Sequence, residues 1–212
     1  MKAEFDRQFF MDRVSKSVQR IMKEPEVDGA SDAAETVQQM AEKVCAELVG
    51  RDHRIACSEG CSHCCVVNVS ILPPEAEAIC NYLLSVSTEE ELELLRKKLH
   101  ALDLETRWLD DEERIMARKQ CAFLTEAGSC SIYPVRPLLC RAMTSTDGNN
   151  CREALNMLAL DEETPIFINL QQQEIFEAAF IGFSEALKSL SLEYRSLRLT
   201  GAVSQFMLKQ LH

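Results

Sequence analysis

Apolar residues recur at helical spacing along most of the chain, which predicts a mainly helical protein. In the first segment the apolar positions share one helical face, formed by Phe5, Phe9, Val14, Val18 and Ile21. Pro25 and Gly29 then interrupt this pattern. Asp32 with Glu35 predicts the capped start of a second helix, which Gly50 ends. Its apolar stripe contains Val37, Met40, Ala41, Val44, Cys45 and Leu48.

Further helical patterns follow in the middle and at the end of the chain. A short helix opens at Pro73, and a longer one begins at the capping box of Thr88 and Glu91. The longer helix carries an apolar stripe of Leu92, Leu95, Leu99 and Leu102. The remaining helices are predicted at about residues 105–118, 171–187 and 190–210. Strand-like patterns are confined to residues 66–71 and 166–170.

Two cysteine-rich segments interrupt the helical pattern. The first reads Cys57-Ser-Glu-Gly-Cys61-Ser-His-Cys64-Cys65, and the second contains Cys121, Cys130, Cys140 and Cys151 among glycine, proline and asparagine residues typical of turns. Closely spaced thiolates bind one ion together in zinc and iron–sulfur sites. Eight thiols suffice for two tetrahedral four-cysteine sites, or for one cluster with spare ligands. We therefore expect a helical domain in which two irregular cysteine-rich loops converge on a metal centre.

The individual cysteines allow different interpretations. Cys64 and Cys65 are adjacent, so their side chains point in different directions. The pair serves two ions, bridges them, or includes one residue that is not a ligand. The imidazole of His63 is chemically able to bind a metal ion. A solvent-facing position is the favoured interpretation for His63, because the thiols already supply enough metal ligands. Cys45 and Cys80 lie in apolar helical stripes and are predicted to be core residues.

Composition and charge favour a metal site over disulfides. The chain has 212 residues with 10 cysteines, and 46% of its residues are hydrophobic, which is enough for a core. Residues 1–7 are charged where a signal peptide needs an apolar run, and no apolar stretch has transmembrane length. We therefore expect a cytoplasmic location, where thiols stay reduced. The net charge of -11 argues against nucleic acid and membranes, and it favours metal ions or a protein partner.

Two arginines lie close to the second cysteine segment. Arg136 and Arg141 flank Cys140, and guanidinium groups near gathered thiolates offset their charge and donate hydrogen bonds to sulfur. Pairing with surface carboxylates is an equal alternative for both. The seven glycines are too far apart for a G-x-G-x-x-G motif or a P-loop, and G-x-S-x-G and H-E-x-x-H are absent.

The order of these motifs resembles the YkgJ-type cysteine-cluster family, mostly bacterial and described as a zinc- or iron-chelating domain. The resemblance covers about residues 57–151 and rests on Cys57-x3-Cys61-x2-Cys64-Cys65, Cys121-Ala-Phe-Leu, Gly128-Ser-Cys130-Ser-Ile-Tyr133, Arg136-Pro137-x2-Cys140-Arg141 and Cys151. Ala122 stands where the family commonly has proline. The resemblance implies metal binding. Flagellin lysine N-methylases have a similar cysteine cluster, which implies an iron–sulfur-dependent protein-modifying enzyme as an alternative.

These observations together predict a single domain over residues 1–212. Its cysteine-cluster core spans about 57–151, between amino-terminal helices in 1–50 and carboxy-terminal helices in 160–212. The predicted function is chelation of zinc or of iron, as an ion or an iron–sulfur cluster. Zinc comes first because it suits four-thiolate tetrahedra and holds loops together. A metal-structured adaptor for a protein partner is a further alternative. The predicted metal ligands are Cys57, Cys61, Cys64, Cys65, Cys121, Cys130, Cys140 and Cys151.

Overall fold

The computed structural model of the chain describes residues 4–23, 29–49, 55–58, 60–158 and 164–209. These residues are mainly helical, as predicted. Their α-helices are α1 (Arg7–Ile21), α2 (Gly29–Leu48), α3 (Pro73–Val86), α4 (Glu89–Thr106), α5 (Asp111–Met116), α6 (Leu138–Ala142), α7 (Gly148–Leu158), α8 (Leu170–Ser189) and α9 (Leu199–Lys209). Two strands, β1 (Ser70–Ile71) and β2 (Leu197–Arg198), form an antiparallel pair. Short 3-10 helices cover His63–Val66 and Tyr133–Val135.

Side-chain caps explain where several helices begin. The predicted capping box of α4 is confirmed, because Thr88 accepts from the Glu91 amide and Glu91 accepts from the Thr88 amide. Proline occupies the first turn of α3, also as predicted. Helix α2 differs from the prediction because it begins at Gly29, so Asp32 lies within its first turn and is not its cap. Pro25 and Gly50 lie outside the described residues.

The first hydrophobic core lies between α1, α2 and α8. Val14, Val18 and Phe183 are fully buried there. Gly182 allows α1 and α8 to approach closely, because an added Cβ would lie 2.7 Å from the Met11 carbonyl oxygen. The prediction that Phe9 faces the core is wrong, since its side chain is 60% exposed. Phe10 and Met11 take the buried positions instead.

The second hydrophobic core lies between α3, α4 and α9. Leu92, Leu99 and Leu102 of the predicted stripe are buried in it, and Leu95 packs against it. Cys80 is fully buried in this core as predicted, while Cys45 packs against the first core. Helix α3 contacts α2 on one side and α9 on the other, so it joins the two cores.

Four further predicted elements differ from the structure. The charged helix predicted at 105–118 is interrupted, because α4 ends at Thr106 and Asp110 caps the separate helix α5. The last helix begins at Leu199 and not near residue 190, because residues 190–198 form a turn and β2. Residues 166–170 form no strand, and only the end of the segment 66–71 does.

No helix among the described residues combines the length and the apolar character needed to cross a membrane.

Candidate metal centre

The eight predicted ligands lie in different local structures. Cys57 and Cys61 lie in non-helical backbone, and Cys64 and Cys65 belong to the 3-10 helix His63–Val66. Cys121 and Cys130 lie on either side of a short loop. An antiparallel bridge between Leu124 and Cys130 closes this loop. Cys140 lies in α6 and Cys151 in α7, so the second cysteine segment is not irregular throughout.

Backbone contacts hold the two cysteine segments together. The amide of Cys121 donates to the carbonyl of Cys65 at 2.7 Å. Gly128 packs against Gly60, and a Cβ added to Gly128 would lie 3.2 Å from the Gly60 carbonyl oxygen. The positive φ of Gly128, +78°, is a conformation that glycine adopts without strain. These contacts join segments that are more than fifty residues apart in sequence.

Seven of the eight cysteines line one cavity of about 500 Å³. These are Cys57, Cys61, Cys64, Cys65, Cys121, Cys130 and Cys140. Cys151 is not part of the lining, but its thiol acts electrostatically on Cys57. All ten cysteines of the chain are free thiols. Within the described residues, no three His, Cys, Asp or Glu side chains are already arranged as the ligands of one ion. The structure therefore shows a shared cavity and not a formed coordination sphere.

The donor set of this cavity suits a thiophilic metal. Thiolates are the preferred ligands of structural zinc and of iron–sulfur clusters, and this lining holds seven cysteine thiols. Burial raises the pKa of the Cys121 and Cys140 thiols, which keeps both protonated until a cation offsets the charge. Binding of a metal cation would release these protons, which couples the affinity of the site to pH.

Cys64 differs from its neighbours because its pKa is lowered. The main cause is a hydrogen bond that the Cys65 thiol donates to the Cys64 sulfur, and the charge of Arg136 acts in the same direction. The same hydrogen bond raises the pKa of Cys65, which keeps its proton. The adjacent sulfurs therefore share a proton through this hydrogen bond, and the charge of Arg136 favours the thiolate form of Cys64.

Backbone amides donate to two of the sulfurs. The Ser145 amide donates to the Cys57 sulfur at 3.3 Å, and the Phe123 amide donates to the Cys121 sulfur. Both contacts lower the pKa of the thiol that they reach. The sequence had given no reason to single out Ser145 or Phe123, since only their main-chain groups take part.

The two candidate arginines take different positions. Arg136 lines the cavity, donates to the Cys140 carbonyl, and lies near the thiols of Cys140, Cys64 and Cys130. Burial lowers the pKa of Arg136. The charges of these sulfurs raise it by a larger amount, so the net effect is a raised pKa. Arg141 is outside the lining and pairs with the Glu42 carboxylate at 2.8 Å. This pairing is the alternative that the sequence had left open for an arginine of this segment.

The same cavity is also lined by residues that sequence reasoning missed. They are Asp103, Thr106, Arg107, Arg114, Arg198 and Thr200. Packing of α4 against α9 and pairing of β1 with β2 bring them beside the cysteines. No spacing in the sequence links these positions, because they come from four different elements.

A family model named CxxCxxCC and described as a "Putative zinc- or iron-chelating domain" matches residues 56–164, which is more than half of the chain. The match contains all eight candidate cysteines, and it supports metal binding in general. No curated protein and no solved structure matches the chain significantly. The first spacing here, Cys57-x3-Cys61, is one residue longer than in the family's name. The chain belongs to the CxxCxxCC family of zinc- or iron-chelating domains.

Proposed function

We propose that this protein binds zinc, or alternatively iron, through its eight clustered cysteines. The observation that carries the proposal is the single cavity lined by seven of them, with the eighth next to Cys57. The two cysteines predicted to be core residues, Cys45 and Cys80, are outside this cavity. Such sites need reduced thiols, which fits a cytoplasmic protein.

The electrostatic neighbours of several thiols favour a grouping of the eight cysteines into two sets. Cys57 is influenced by Cys61, Cys64 and Cys151. Cys65, Cys121 and Cys140 are each influenced by Cys130, and Cys121 also acts on Cys65 and Cys140. Cys64 lies between the two sets, because it acts on Cys65 and Cys140 as well as on Cys57. We infer one four-cysteine site from each set, so that the adjacent residues Cys64 and Cys65 serve different ions. This division satisfies the tetrahedral preference of zinc with all eight sulfurs used.

A bound metal would supply a structural link between segments that otherwise meet at few points. The first set contains Cys57, Cys61, Cys64 and Cys151, and a metal there would connect the first cysteine segment to α7. The second set contains Cys65, Cys121, Cys130 and Cys140, and a metal there would connect the same segment to the Cys121–Cys130 loop and to α6. The amides of Ser145 and Phe123 and the guanidinium of Arg136 would stabilise the thiolate charge.

Single substitutions test this assignment with a matched control. Cys61→Ser removes a ligand from the first set and Cys130→Ser one from the second. Cys45→Ser alters a partly buried thiol outside the cavity. We expect about two zinc ions per wild-type chain and the loss of about one in each ligand variant. The Cys45 variant should keep the wild-type metal content. Full metal content in both ligand variants would contradict the proposal.

An iron–sulfur-dependent protein-modifying enzyme is the second candidate function. The observation that favours it is the room beside the sulfurs, because the cavity extends to Asp103, Arg107 and Thr200. Structural metal sites are closed, whereas catalytic sites keep space for a substrate. Saturable heat of binding with S-adenosylmethionine would support a methyl-transfer enzyme. Titration heats that do not exceed the buffer blank would contradict it.

A further inference from the structure

The cavity that contains the cysteines has a positive end although the chain as a whole is acidic. The formal net charge of the protein is -11. Among the described residues, the lining nevertheless includes four guanidinium groups and one carboxylate, contributed by Arg107, Arg114, Arg136, Arg198 and Asp103. Guanidinium groups that neither a carboxylate nor a thiolate offsets would attract a negatively charged occupant to this concave site.

Two of the four arginines already have partners inside the protein. Arg107 pairs with Asp103 at 2.7 Å, and Asp103 is the one carboxylate that the described residues contribute to the lining. Arg136 lies among the thiols of Cys140, Cys64 and Cys130, where it would offset thiolate charge. These two guanidinium groups therefore need no further anion.

Arg114 and Arg198 are not neutralised in this way. Arg114 is 3% exposed and donates to the Lys119 carbonyl, and Arg198 donates to the Thr106 carbonyl at 2.8 Å. Neither forms an ion pair with a carboxylate in the described part of the chain. Burial lowers the pKa of Arg114, the Cys121 thiol opposes this effect, and repulsion from Arg198 adds to it.

Two neighbouring guanidinium groups with unused N–H donors match the geometry of an oxyanion. We propose that the Arg114–Arg198 end of the cavity binds the carboxylate or phosphate group of a small organic anion. The rest of the molecule would extend toward the cysteines. A cavity of about 500 Å³ lies within the range of small-molecule sites and is larger than a bare ion needs. This site goes beyond metal binding and does not depend on which metal the cysteines hold.

Titrations with two simple anions test the proposal. Inorganic phosphate and succinate are added separately to the metal-loaded protein at constant ionic strength, and binding is followed by NMR chemical shifts. Arg198→Gln removes one guanidinium of the site. Arg195→Gln is the matched control, because Arg195 is exposed, pairs with Glu193 at 3.0 Å, and lies three residues away. Metal content is measured in every sample.

We expect saturable binding of at least one anion by the wild type, about tenfold weaker in Arg198→Gln and unchanged in Arg195→Gln. Arg198→Lys should recover part of the affinity, since it keeps the charge without the planar fork. The anion that binds better identifies the ligand as a phosphate or a carboxylate. Equal binding by both glutamine variants, or no saturable binding by the wild type, would overturn the proposal. Low metal content together with normal anion binding would contradict the proposed metal site and would leave the anion site supported.

Discussion

Glu75 is a buried carboxyl that connects α3 to the helix that carries Cys140. Its side chain is 6% exposed. One carboxyl oxygen accepts from the Leu72 amide at 2.8 Å, and the other accepts from the Leu138 amide at 2.9 Å. Burial raises the pKa of Glu75 to about 7, against the effect of these two hydrogen bonds. The stability of the protein should therefore depend on pH through this residue.

The sign of the dependence follows from proton binding. Between the ordinary glutamate pKa of about 4.5 and pH 7, native Glu75 keeps a proton that the unfolded chain has released. The stabilisation by this group is complete below about pH 4.5 and is lost as pH rises through 7. The difference between the two pKa values corresponds to a loss of about 3 kcal/mol in the free energy of unfolding.

Urea denaturation of the wild type and of Glu75→Gln at several pH values isolates this effect. Both proteins carry the same cysteines, so thiol titration cancels when the variant's free energy of unfolding is subtracted from that of the wild type. We expect this difference to fall by about 3 kcal/mol between pH 4.5 and pH 8. The amide also leaves one N–H poorly paired, which adds a constant loss of about 1–3 kcal/mol. A difference that is flat, or that rises with pH, would refute the reasoning.

Three further outcomes are expected. Gly182→Ala should lower the free energy of unfolding by about 1–3 kcal/mol, because the added Cβ would meet the Met11 carbonyl. Gly148 has open space around it, so Gly148→Ala should leave the free energy of unfolding nearly unchanged. Urea denaturation measures both variants, and equal effects would contradict the close approach of α1 and α8. Gly128→Ala should cost about 1 kcal/mol in the same assay through its positive φ, and wild-type stability would contradict this. Chelation of the metal should lower the melting temperature sharply, and an unchanged value after verified removal would exclude a structural role.

Periodicity and capping residues made much of the helical fold predictable. Thr88 with Glu91 located the start of α4, and the leucine stripe behind it located its buried face. The break after Thr106 was missed because the charged sequence continues through it, although Asp110 and Glu113 form a capping box of the same kind. The turn near Ser191 was missed because it contains neither glycine nor proline, and Ser191 itself adopts a positive φ.

The candidate site was predictable only where its chemistry is concentrated in sequence. The two groups of cysteines indicated a thiol site directly, and the structure brings seven of them to one cavity. Arg114 and Arg198 join that cavity only through tertiary packing, and in the sequence both resemble ordinary surface arginines. The Ser145 amide reaches Cys57 through the main chain, so no residue type could have indicated the contact.

The central claim is that the clustered cysteines hold a metal, and the metal and acid-labile sulfide contents of protein purified without oxygen test it most directly. We predict about two zinc ions per chain and no sulfide. Iron with matching sulfide would keep the cysteine site but assign it to an iron–sulfur cluster and favour the enzymatic candidate. A protein with no metal, whose eight cysteines are free thiols or disulfides, would contradict the claim.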